Sequence, residues 1–180
     1  MEEMHVTNCD KELKITGEMF VHKREVFDHL FESLGLPKCD VETIKHQAQV
    51  AKAGSNYIKV DFKGEIKFGT NSGDPNECSS ETFVMEFQKG RANMDHAKAL
   101  VYPLIDASCK IGIWIAEDYG EYIKKAVQNF NEKLNGVGYK FYLVTYKLVR
   151  GDITFSKVVG PEIGNAEQVN SNVENAGRQQ

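Results

Sequence analysis

Apolar and polar residues alternate most regularly between Tyr57 and Phe68. Ile58, Val60, Phe62, Ile66 and Phe68 fall on even positions, while Lys59, Asp61, Lys63, Glu65 and Lys67 fall on odd ones. A period of two describes a strand with one buried and one solvated face. Thr82 to Lys89 repeats the pattern, with Phe83, Met85 and Phe87 on one face and Val84, Glu86 and Gln88 on the other. Gly69 to Ser80 (GTNSGDPNECSS) is dense in turn formers, so the two strands read as a long hairpin.

Three stretches carry helical spacing instead. In Lys23 to Leu34, Val26, Phe27, Leu30, Phe31 and Leu34 share one face, and Gly35 and Pro37 supply the stop. Asn93 to Asp106 places Ala97, Leu100, Val101, Leu104 and Ile105 together, with Pro103 marking a kink or an early end. Tyr119 to Leu134 aligns Tyr122, Ile123, Ala126, Val127, Phe130 and Leu134. The run KIGIWIA (Lys110 to Ala116) has the unbroken apolarity of a strand covered on both faces, and Trp114 within it reads as core. Two further strands, Tyr139 to Val149 and Ile153 to Val159, flank the turn Arg150-Gly151-Asp152. Val41 to Ala53 has weaker periodicity, and its state stays open.

The resulting order is helix, hairpin, helix, strand, helix, strand, strand. It predicts an α/β domain over residues 1–160, with a mixed central sheet of about five strands flanked by helices. From Pro161 onward the chain is rich in Asn, Glu, Gln and Ser, and residues 161–180 are expected to be a disordered tail.

Composition narrows this picture a little. A chain of 180 residues holds one ordinary domain. No apolar run is long enough to span a bilayer, and Met1 to Asp10 lacks the apolar stretch of an export signal, so a cytoplasmic location is expected. Cys9, Cys39, Cys78 and Cys109 are widely spaced, which favours reduced thiols over zinc ligation or a disulfide framework. The net charge of -4 is not that of a protein held to nucleic acid by counterion release alone.

The candidate chemistry sits on the hairpin. Facing Phe68 roughly with Glu81 sets Asp61 opposite Gln88 and Lys63 opposite Glu86 on the polar face. The same register sets Phe62 opposite Phe87 and Ile66 opposite Phe83 on the buried face. Carboxylates gathered in this way can hold a divalent cation, since magnesium takes oxygen ligands and keeps some of its waters. An acid and an amide on the open face of a hairpin are, taken alone, usually just solvated. Gly136 and Gly138 (NGVG) form a turn and no phosphate loop, because no GxxxxGK[ST] follows.

Four short signatures follow one another here: Glu86-Phe87-Gln88, Gly90-Arg91, Asp95-His96 and Ile113-Trp114-Ile115-Ala116. In that order the stretch from Tyr57 to Pro161 resembles the PD-(D/E)xK nuclease superfamily in its Glu-x-Gln variant. It is similar to small prokaryotic domains of that group and, more distantly, to restriction endonucleases of the BglII and BstYI type. The resemblance implies a restriction-endonuclease-like fold and Mg²⁺- or Mn²⁺-dependent cleavage of DNA. It makes Glu86 the second acid and a metal ligand, adds the Phe87 carbonyl as a ligand, and sets Gln88 where a lysine usually orients the attacking water. A neutral amide can hydrogen-bond that water but brings no positive charge to hydroxide. Asp61 is the expected first acid in preference to Asp74, because Asp61 shares the sheet face with Glu86 and Asp74 lies near the loop tip. Glu25 on the first helix is an expected accessory acid. Lys89, Arg91, Lys98 and His96 are expected to contact nucleic acid. A catalytically inactive module of the same fold, binding nucleic acid or protein, is the alternative. Cleavage of both strands at a palindrome would require a homodimer.

Overall fold

The chain opens with two helices, one legible in its sequence and one not. The structure, a computed structural model, describes residues 8–53, 56–68, 79–105, 108–150 and 152–161. Helix α2 (Lys23–Leu34) buries Phe27, Leu30, Phe31 and Leu34, the expected stripe. It stops at Gly35, whose φ of 68° lets the Gly35 and Leu36 amides close onto the Glu32 and Phe31 carbonyls. Helix α1 (Asn8–Val21) precedes it. Its apolar stripe is thin: Thr16 and Met19 are buried, Ile15 and Phe20 only partly. Such a helix is held by tertiary packing more than by its own pattern.

Six strands form one sheet in sequence order: β1 (Cys39–Ala53), β2 (Asn56–Phe68), β3 (Ser79–Phe87), β4 (Ile111–Ala116), β5 (Lys140–Val149) and β6 (Asp152–Val159). The expected count of about five falls short by β1. Three buried residues explain why that strand was unreadable. Val41, Ile44 and Ala48 are spaced by three and four, which is helical spacing, because register breaks between Asp40 and Lys45 interrupt the period of two.

The outer pairs β1–β2, β2–β3 and β5–β6 are antiparallel, while β3–β4 and β4–β5 are parallel. Parallel neighbours need crossovers, and helices α3 (Met94–Ile105) and α4 (Glu121–Leu134) provide them. Pro103 is accommodated within the last turn of α3. One face of the sheet packs Phe83, Met85, Ile113 and Tyr142 under α1 and α2. The other packs Val84, Trp114 and Leu143 under α3 and α4. All six residues of β4 are buried, Trp114 among them, as a doubly covered strand requires. Cys39 and Cys109 are both buried. The loop at residues 69–78, with Asp74, and the tail at residues 162–180 lie outside the described residues.

The hairpin keeps its expected faces but not its expected register. Phe68 pairs with Ser79, Ile66 with Glu81 and Phe62 with Met85, two residues from the predicted partners. A two-residue slip leaves every side chain on its original face, so alternation cannot detect it. Packing does select the register. Gly64 faces Phe83, and a Cβ on Gly64 would lie 2.7 Å from the Phe83 ring. That ring packs edge-on against Phe31 of α2, 5.2 Å between centroids, and cannot retreat. Gly64→Ala is therefore expected to lower stability by about 1–3 kcal/mol, the usual cost of overpacking a core. Denaturant unfolding measures it, and an unchanged midpoint would contradict the observed register.

Candidate active site at the β2–β3 fork

The β2–β3 ladder ends at Phe62 and Met85, and the next N–H along β3 is taken by a side chain. The Phe87 amide donates to Asp61 Oδ2 at 2.8 Å. Asp61 Oδ1 accepts from Gln47 Nε2, also at 2.8 Å. Gln47 stands across β1–β2 from Asp61, between the pairs His46–Phe62 and Ala48–Val60. It does so with φ of 52°, an unusual conformation for a side-chain-bearing residue. Asp61 is thus clamped on both oxygens, and its charge strengthens both bonds.

Glu86 follows Met85 on β3 and is 7% exposed. The expectation of a wet face fails here: Glu86 and Gln88 are both buried because α3 covers that side of β3. Asp61 and Glu86 lie on the same sheet face at the end of the ladder, and Asp61 acts electrostatically on Glu86. Burial pushes Glu86 up to about 7, opposed by His96 and reinforced by the Asp61 charge. Burial likewise raises Asp61 against the pull of its two hydrogen bonds. His96, in the first turn of α3, sets Nδ1 3.8 Å from Glu86 Oε2, an ion-pair distance too long for a hydrogen bond. Glu86 raises the His96 pKa in return, with Glu12 and Asp61 adding to it.

Gln88 is hydrogen-bonded at both ends of its side-chain amide to the loop that follows it. Its Nε2 donates to the Arg91 carbonyl at 3.0 Å, and its Oε1 accepts the Asn93 amide at 3.1 Å. The side chain fastens the loop into α3, where Asn93 Oδ1 then caps the Asp95 amide. Through that loop Gln88 fixes where His96 stands.

Glu25 lines a groove with Glu18, His22 and His29 between the N-terminal helices and β6. The acid that reaches the site comes from α1: Glu12 Oε1 accepts the Lys89 amide at 2.8 Å and acts electrostatically on Asp61 and His96. Among the expected nucleic-acid contacts, Arg91 pairs with Asp118 at 3.5 Å and Lys98 with Asp95 at 2.8 Å. Sequence reasoning missed Gln47 and Glu12 because both lie on elements whose periodicity was masked. The amides Gln47 and Gln49, in a stretch whose state stayed open, were the available signal.

As a donor set, the fork offers hard oxygens. No three His, Cys, Asp or Glu side chains among the described residues gather in ligand geometry, so a cation here would rest on two carboxylates, backbone and water. Magnesium is commonly held in that way.

The buried acid leaves a thermodynamic signature. Glu86 titrates near 7 in the folded protein and near 4.5 when unfolded, so its contribution is favourable below pH 4.5 and is lost as the pH rises through about 7. A displacement of that size corresponds to about 3 kcal/mol, less whatever His96 returns. Glu86→Gln is expected to match the native Tm near pH 4.5 and exceed it by several degrees at pH 8. A Tm difference independent of pH would contradict the burial argument.

No protein-family model and no curated protein matches this chain. Among solved structures, the DNA modification-dependent restriction endonuclease AspBHI is similar over 79% of this chain, with 13% sequence identity and a TM-score of 0.34. The chain spans 37% of that protein's length. At this degree of likeness the site stands on its own residues.

Proposed function

We propose that this chain is a metal-dependent nuclease that hydrolyses phosphodiester bonds in DNA at the Asp61–Glu86 fork. The carrying observation is the pair itself: two carboxylates on one sheet face at the end of a ladder, one clamped by Gln47 and the Phe87 amide and the other buried beneath α3. A pair of like charges in such a place costs stability, and a cation between them removes that cost. The ordered signatures from Glu86 to Ala116, which resemble the PD-(D/E)xK superfamily, support the same reading.

Asp61 and Glu86 would hold Mg²⁺ or Mn²⁺. The Phe87 carbonyl would join them, since N–H and C=O of one strand residue face the same edge and the Phe87 N–H already faces Asp61. The ion, when bound, supplies stabilisation of charge on the phosphate and lowers the pKa of a coordinated water. The remaining work falls to the chain. Gln47 fixes the rotation of the Asp61 carboxylate. His96, protonated on the side of Glu86, tempers the charge of the empty pair. Gln88 keeps the loop from Lys89 to Asn93 in place beside the acids. A second reading, a catalytically inactive DNA- or protein-binding module, draws on one observation: the Gln88 amide is spent on that loop, and no lysine replaces it.

The two readings separate on plasmid and linear duplex DNA incubated with Mg²⁺ or Mn²⁺ at low salt. Cleavage abolished by chelation, by Asp61→Asn and by Glu86→Gln is expected. Its rate should rise as the pH passes through about 7, because the cation competes with the proton for Glu86. Inactivity with both metals, together with no heat of metal binding, would leave the binding module. Gln47→Ala removes a partner of a ligand and no ligand. It is expected to weaken Mn²⁺ binding by about 10-fold or more, as loss of an outer-shell partner does, read by calorimetry.

A further inference from the structure

Three lysines that form no ion pair with another described residue lie on the arm formed by β1 and β2. Lys45 faces Lys63 directly across the two strands, and Lys59 faces Gln49. Alternation along β2 puts Lys59 and Lys63 on the same face as Asp61. Several other bases are paired: Lys67 with Asp40, Arg91 with Asp118, Lys98 with Asp95, Lys124 with Glu121 and Lys140 with Glu81. Lys45, Lys59 and Lys63 make no ion pair with a described residue.

Like charges directly opposite on a sheet destabilise it. In the β1–β2 register each of these lysines, Lys45 and Lys63, has the other, and no acid, as its cross-strand partner, while Asp61 and Glu65 flank Lys63 along β2. An anion from outside the chain would resolve that repulsion. Its form follows from spacing. Lys59 and Lys63 stand two residues to either side of Asp61, about 7 Å each way. That is about two base steps along one strand of DNA, which rises about 3.4 Å per step. Gln49, exposed beside Lys59, adds a neutral donor of the kind that contacts sugars and phosphates.

We propose that the exposed face of the β1–β2 arm seats the phosphate backbone of duplex DNA, with Lys45, Lys59 and Lys63 gripping phosphates that flank the one presented to Asp61 and Glu86. The inference deepens the nuclease reading and rests on it for what happens over the acids, but the grip itself requires no cleavage.

The test is anisotropy of a labelled DNA duplex titrated with the full chain in EDTA, across a series of salt concentrations. Each phosphate contact contributes about 8-fold to affinity at 0.1 M salt, so Lys45→Gln/Lys63→Gln should weaken binding about 60-fold. The slope of log affinity against log salt should fall by about 1.8. The same variant should keep or raise the native Tm, since it relieves a repulsion. Lys124→Gln/Lys133→Gln on α4 should bind as the native chain does. Unchanged affinity and slope in the arm variant, an equal loss in the α4 variant, failure of the native chain to bind at low salt, or tighter binding of single strands would each overturn the seat. Arm-dependent binding without cleavage keeps the seat and removes the nuclease. Cleavage by an arm variant of undiminished affinity does the reverse.

Discussion

The Asp61 carboxylate takes the place of a backbone carbonyl at the end of the β2–β3 ladder, and the site depends on that exchange. A strand N–H that loses its ladder partner must find another acceptor or pay for burial unsatisfied. Here the acceptor is charged, so the fork that ends the hairpin also anchors an anion at a fixed point. Gln47 holds the second oxygen from the neighbouring strand and adopts a left-handed backbone to do so. Backbone strain of this kind persists where surrounding structure over-determines it, often where position matters more than stability. Glu86 follows as a consequence. It lies on the same face, one residue past the last paired position, and has nowhere to go but beside Asp61 under α3.

Most of the fold was legible because most of its elements have a single period. The stripes of α2, α3 and α4 each face one layer, the alternation of β2 and β3 sorts their side chains between two faces, and the edges of these elements fell within a few residues of the observed ones. The failures have physical causes. The helical spacing of Val41, Ile44 and Ala48 arises from a break in strand register, which no periodicity search can distinguish from a helix. Helix α1 has too few apolar residues to announce itself and is fixed by Thr16, which meets His46 at 3.1 Å, and by the Phe20 ring stacked on the same imidazole. The hairpin slipped by two because its register is set by a contact between Gly64 and Phe83 that alternation does not encode.

The site was legible to the same extent. Asp61, Glu86 and His96 come together, since the hairpin faces and the start of α3 were read correctly. Glu12 and Gln47 went unseen with the elements that carry them. The role of Gln88 could not be read from its place in a motif, because an amide at that position serves equally to hold a water or to pin a loop, and only the positions of the Arg91 and Asn93 backbone decide.

Strand order has a consequence for how the chain is made. Each strand of the sheet lies beside the one before it, with none inserted between two earlier strands. During synthesis the sheet can therefore grow at one advancing edge, every new strand meeting a finished neighbour, and no pair has to open to admit a latecomer. The acids, Gln47 and α1 all precede the first parallel pairing, so the fork is assembled by the N-terminal half. The Gln88 amide then docks on the Ile115 carbonyl at 2.8 Å, and the loop into α3 tightens only when β4 arrives. A nascent chain halted before β4 would carry its acids in place but leave His96 unset, which orders the emergence of any chemistry behind the emergence of the central strand.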